Sequence, residues 1–165
     1  MLGVGFSAPH FDCTAVVGGH VVRLSWEQVH DNRPLILLFG SLGGPSGSSA
    51  PLVVLVTASG LQHANVAVVC RNDLNDVLVW ANDTSSESGQ GVPAFPLIAD
   101  PEGSIASLYG LAADGNGPTW GHFVIDPSDI IREAGGSDYP YWPGVAELLQ
   151  SVCASGFPAD KGLLN

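Results

Sequence analysis

The chain has 165 residues, of which 45% are hydrophobic and only 13% charged, a balance that excludes a disordered segment and suits one domain with a real core. Five Lys and Arg against sixteen Asp and Glu leave a formal net charge of −11, which repels phosphate backbones and anionic lipid, so neither nucleic acid nor a membrane surface is an expected partner. Three cysteines, Cys13, Cys70 and Cys153, without a C-x-x-C pair or a His at metal-ligand spacing, exclude a disulfide scaffold and a zinc module, and no metal or cofactor is expected.

The opening MLGVGFSAPHF has neither the basic start nor the apolar run of a secretory leader, and the longest apolar runs, 35–39 and 52–56, fall far below the roughly 20 residues of a membrane helix. A cytoplasmic location is therefore expected. Residues 16–24 read as a hairpin turning at Gly18-Gly19, followed by a Ser25-x-x-Gln28 capping pattern that predicts a short helix. Residues 34–39, 64–70 and 122–126 are continuous apolar runs bounded by turn signals, the pattern of strands buried on both faces. Between the first two, residues 50–61 are assigned to a helix long enough for a crossover, and a further helix is expected before the short run 94–99. Residues 103–109 have helical spacing and stop at Gly110, residues 130–133 pair back on 122–126 after the turn at Pro127, and 145–152 predict a closing amphipathic helix. The expected organisation is one domain over 1–153 and a tail over 154–165.

Alternation of this kind predicts an α/β sandwich in which right-handed crossovers set the strand tips at Gly40 and Arg71 side by side. Ligand crevices in such sheets lie beyond the carboxyl ends of the strands, so the Gly/Ser-rich loop 40–49 and the segment 71–73 are the first places to look for chemistry. The loop has no Gly-Lys-Ser/Thr ending, and nucleotide binding is not expected.

Several short segments then resemble one family. VGFSAPHF from Val4 is similar to the V-G-x-x-A-P-D-F opening of peroxiredoxins of the alkyl hydroperoxide reductase and thiol-specific antioxidant group. VWANDT from Val79, PLIAD from Pro96, FVIDP from Phe123 with Ile131-Arg132, and SDYP from Ser137 resemble later peroxiredoxin motifs in the same order. RPLILLFGS from Arg33 is also similar to a segment of iodothyronine deiodinases. Both resemblances imply a thioredoxin-like fold, with a central mixed sheet flanked by helices, an N-terminal hairpin extension, and an active loop directly after the strand that ends at Phe39. Peroxiredoxin relatives also commonly associate, which implies a homodimer.

The resemblance makes the residues at the matching positions informative. The peroxidatic cysteine of the family falls at Ser48, or at Ala50 if the following Pro is the anchor; the deiodinase selenocysteine or cysteine falls at Gly44 before Pro45. The peroxide-polarising Arg falls near Trp120, and the deiodinase His at Asn75. A Ser hydroxyl is a far weaker nucleophile than a thiolate and cannot cycle through sulfenic acid, so the inherited reaction is expected to be lost. The expectation is a vacated pocket, lined by Ser41, Gly44, Pro45, Ser46, Ser48, Trp80 and Trp120, that binds or acts without redox chemistry on a small organic molecule. His122, near the lost Arg position, is the candidate general acid or base.

Two alternatives stay open. Cys70 ends a strand immediately before Arg71, a cation that would favour its thiolate, so Cys70 or Cys153 could have taken over thiol chemistry; against this, a Cys inside VAVVC is the pattern of core packing, as is Cys13. The other is a non-catalytic protein with a dimer or partner-binding role, for which Trp80, Trp120, Tyr139, Tyr141 and Trp142 would supply an aromatic surface in place of a pocket lining. His10, His20, His30 and His63 fall in turns or surface positions and cluster with nothing in sequence.

Overall fold

The elements follow the hydrophobic pattern closely. The computed structural model describes residues 1–41, 64–82, 95–111 and 120–137. In chain order these hold β1 (Cys13–Val17), β2 (His20–Leu24), α1 (Trp26–His30), β3 (Leu35–Gly40), β4 (Asn65–Cys70), α2 (Leu74–Asn82), β5 (Leu97–Ala99), α3 (Ser104–Leu108), β6 (Trp120–Ile125) and β7 (Ile131–Ser137). The helices expected at 50–61 and 145–152, the tail 154–165, most of the Gly/Ser loop, His63, Cys153, Tyr139, Tyr141 and Trp142 lie outside the described residues.

The seven strands form one mixed sheet in the order β2-β1-β5-β4-β3-β6-β7. β3, β4 and β5 run parallel, while β6 and β7 on one side and β1 and β2 on the other are antiparallel to their neighbours. The N-terminal hairpin is therefore more than an extension, because β1 pairs with β5 and completes one flank of the sheet. Its two-residue turn places Gly18 and Gly19 at φ 59° and 84°, a left-handed pair that glycine adopts without strain.

All six residues of β3 are buried, and each large apolar side chain so covered contributes about 2 kcal/mol. Alternate residues divide between two cores. Ile36, Leu38, Val68, Cys70, Trp120 and Val124 face α2, while Leu35, Leu37, Phe39, Val69, Phe123 and Ile125 face α1 and α3. The expected run 94–99 shortens to β5 because Pro96 has no N–H for the ladder; its carbonyl still accepts from Val68 N–H at 3.0 Å. Gly103, the N-cap of α3, offers no side chain, and the buried Asp100 carboxylate instead accepts from Ile105 and Ala106 N–H at 3.2 and 3.0 Å.

Candidate functional site

The tips of β3 and β4 meet as the topology requires. Gly40 lies opposite Cys70 in the parallel register, and Arg71 N–H donates to the Gly40 carbonyl at 2.9 Å. Ser41 follows, half-buried, while Gly44, Pro45, Ser46 and Ser48 lie outside the described residues. β6 brings Trp120 across the end of β3. The indole lies so close to Gly40 that a Cβ there would stand 2.5 Å from Cε3 and Cζ3, and only glycine admits the ring. Trp120 is itself buried. Where the resemblance implies a cation, this chain thus packs an apolar ring against the strand.

Of the other expected pocket residues, Arg71 is half-buried directly after β4, and the Asp73 carboxylate accepts from Asp76 N–H at 2.8 Å at the start of α2. Asn75 is exposed on that helix. Trp80, about 9 Å along α2 from Leu74, is half-buried and packs on the same apolar cluster as Trp120.

Cys13 and Cys70, the cysteines among the described residues, face inward. Cys70 is wholly buried among Val68, Val77 and Leu97, with its thiol donating weakly to the Val68 carbonyl at 3.8 Å. Burial pushes its pKa up, and no cation offsets this. The reason is that β4 is covered on both faces up to Cys70, its last residue, whereas Arg71 lies past the strand end. The expectation that Arg71 would favour a Cys70 thiolate is therefore corrected. Burial also pushes Cys13 up to about 11, with Arg23 partly opposing and Asp12 adding to the rise. A reactive thiolate requires the opposite shift.

His122 lies on the same face of β6 as Trp120 but leans toward β7. Gly135, directly opposite on that strand, leaves the space that the imidazole fills; a Cβ there would overlap the ring. The Glu133 carboxylate stands 3.6 Å from His122 Nε2. Burial lowers the His122 pKa, with Glu133 opposing, so the ring is held as the neutral base that can accept a proton.

Sequence reasoning missed a second cluster, at the opposite end of the sheet. His30 is buried, not on the surface as expected, and with His10 it converges on Asp129: Nδ1 of His30 is 3.0 Å from Oδ1 and Nε2 of His10 is 3.0 Å from Oδ2. The Trp26 indole N–H also donates to Oδ1, at 3.1 Å. His10 and Asp129 are 119 positions apart, so no local spacing could have flagged the group.

A cavity of about 250 Å³ opens elsewhere, between β1, β2 and the start of α3, walled by Asp12, Thr14, Arg23, Asp100, Glu102 and Ser104. Its cation is engaged, since Arg23 donates to Thr14 Oγ1 at 3.0 Å. Among the described residues no three His, Cys, Asp or Glu side chains stand together as a metal site, and no helix is long and apolar enough to cross a membrane.

Comparisons place this geometry among known proteins. The AhpC/TSA family matches residues 4–134. Peroxiredoxin prdx-2 of Caenorhabditis elegans is 28% identical over 163 residues, covering 96% of this chain and 81% of that protein. Peroxiredoxin TSA1 of Saccharomyces cerevisiae is 29% identical over 159 residues, covering 94% and 81%. The crystal structure of Enterococcus faecalis AhpC aligns with a TM-score of 0.75 over 98% of this chain and 97% of that one, at 24% identity. The mixed seven-stranded sheet with flanking helices is thus the thioredoxin-like fold of peroxiredoxins.

Proposed function

The chain belongs to the AhpC/TSA family, and from that premise we propose that it keeps the peroxiredoxin scaffold without thiol peroxidase chemistry and binds a small organic molecule at the tips of β3 and β4. The observation that carries this reading is the state of the thiols. The sequence contains no cysteine between Cys13 and Cys70, the stretch that includes the loop after β3, and both of these thiols are buried and held protonated. Peroxide reduction in this fold needs a thiolate at a helix N-terminus beside a cation. The residues at that end of the sheet suit another task.

Trp120 against Gly40 makes an apolar wall, Ser41 supplies a hydroxyl, and Arg71 supplies a positive charge. Such a mixture of one apolar surface and a few polar groups is the usual composition of a small-molecule site. His122, neutral and oriented by Glu133, is the group that would accept a proton from a bound ligand. The same reading takes residues 1–153 as one domain with 154–165 as a tail, needs no cofactor, and assigns the protein to the cytoplasm as a homodimer.

The test treats the reduced full chain with hydrogen peroxide and a sulfenic-acid trap, follows peroxide consumption, and maps adducts by mass spectrometry. Consumption no faster than by free cysteine, with no adduct at Cys13, Cys70 or Cys153, is the expected result. Stoichiometric trapping at Cys70 or Cys153 with rapid peroxide loss would overturn the reading. A fragment screen by NMR then reads the ligand class, with shift changes expected at Gly40, Ser41, Arg71 and the Trp120 indole.

A further inference from the structure

The cluster around Asp129 lies at the far end of β3 and β6 from the crevice, and the contacts of His30 constrain its chemical form. Nδ1 of this buried ring faces Asp129 Oδ1 at 3.0 Å, and Nε2 faces the main-chain carbonyl of Asp126 at 2.9 Å. Both oxygens are acceptors while Asp129 is ionised. A neutral imidazole brings one N–H and one lone pair, so one contact would set lone pair against lone pair around a ring that is itself buried, although Asp129 keeps 29% of its side chain exposed. Only the imidazolium donates to both.

Its surroundings supply the balancing charge. The Asp129 carboxylate takes His30 and the Trp26 indole N–H on Oδ1 and His10 on Oδ2. The indole stacks with both imidazoles, at centroid distances of 5.2 Å to His10 and 5.3 Å to His30, the arrangement in which a ring face favours a cation. The other carboxylate of the turn is already committed. Asp126 Oδ1 accepts from Ser128 and Ile130 N–H, and its Oδ2 pairs with Arg132 Nε at 2.6 Å. Arg33, just beyond α1, reaches toward Asn65, whose side chain donates to the His30 carbonyl at 3.0 Å.

We propose that His30 is held as an imidazolium with the half-buried Asp129 as its counter-ion, and that this pair is a proton-dependent clamp fastening the N-terminal segment and α1 to the β6–β7 turn. The segment it secures is otherwise tied by main-chain bonds to the same turn: Ala8 N–H to Asp129 O at 2.7 Å, Gly5 N–H to Ile131 O at 2.8 Å and Ile131 N–H to Phe6 O at 2.9 Å. The clamp's contribution is whole while His30 is protonated and is lost as pH rises through the titration of His30 in the folded protein. Loss of that proton removes a donor and the charge that Asp129 balances, which frees the segment ahead of β1. The inference is independent of what the crevice binds.

The test is long-range nitrogen–proton correlation NMR on the labelled full chain across neutral pH, with the exposed His20 as an internal reference. At about pH 7, where a solvated histidine is mostly neutral, both His30 ring nitrogens are expected to carry protons. Amide exchange at Gly5, Ala8 and Ile131 is expected to speed up about tenfold as His30 then loses its proton. Asp129→Asn should move that loss to lower pH. One protonated and one bare His30 nitrogen at about pH 7, or an Asp129→Asn variant that leaves the His30 titration in place, overturns the proposal.

Discussion

At Gly40 the missing side chain decides what the end of β3 can hold, because the Trp120 ring occupies the volume where a Cβ would be. Gly→Ala in a strand is ordinarily neutral or stabilising, by about 0.4–1 kcal/mol, through the unfolded chain. Here the added methyl meets a buried indole 2.5 Å away, and overpacking of this kind destabilises by about 1–3 kcal/mol. Gly40→Ala is expected to lower the urea midpoint and shift the tryptophan emission; a midpoint at or above that of the parent protein would mean that Trp120 does not lie on the strand. The sequence marked both positions, Gly40 as a strand end and Trp120 as the place of a lost cation. Their contact was not legible, since 80 positions separate them and only the β3–β6 pairing brings them together.

Among the elements, α1 shows most directly how far local sequence reaches. Ser25 and Gln28 form the expected capping box, with Gln28 N–H donating to Ser25 Oγ at 3.3 Å and Ser25 N–H to Gln28 Oε1 at 2.8 Å. A helix of only five residues cannot persist on propensity, so its caps and its buried face carry it. Its exit is equally local: Asp31 and Asn32 both take φ of 54°, the left-handed conformation that short polar side chains tolerate. Ser25→Ala is expected to destabilise the protein by about 1 kcal/mol, which for a chain of this size is roughly 2–4 °C in Tm, and Ser25→Gly by only a few tenths. Scanning calorimetry checks both, and equal effects of the two substitutions would show that the cap is not what holds the helix. The Gly18-Gly19 hairpin was legible for the same reason, as its turn chemistry sits in adjacent residues.

For the whole molecule, pH acts through a histidine whose charge state is set by its surroundings. The residue is His122, and burial is the cause: its folded-state pKa is lowered, so its contribution is fully present above the unfolded value of about 6.5 and declines as pH falls below it. Acidification therefore has to charge a ring enclosed between Gly135 and Glu133, against the desolvation that keeps it neutral. His122→Gln removes that liability and should lose less stability than the parent protein between about pH 7 and pH 5. Parallel urea midpoints for the two proteins across that range would contradict it. The acidic excess of the chain affects both proteins alike and cancels in the comparison.

The sequence by itself determined the alternation of strands and helices, the hairpin, the capped helix, and the absence of a cysteine from the loop that follows β3. These are properties of contiguous residues, set by side-chain periodicity, turn chemistry and apolar runs within a few positions of one another. Tertiary structure alone decided that β6 lies between β3 and β7, and with it that Trp120 covers Gly40, that His122 meets Glu133 over Gly135, and that His10 and His30 share Asp129. Those contacts join residues far apart in the chain, and a polar side chain's environment follows from the strands and turns that become its neighbours.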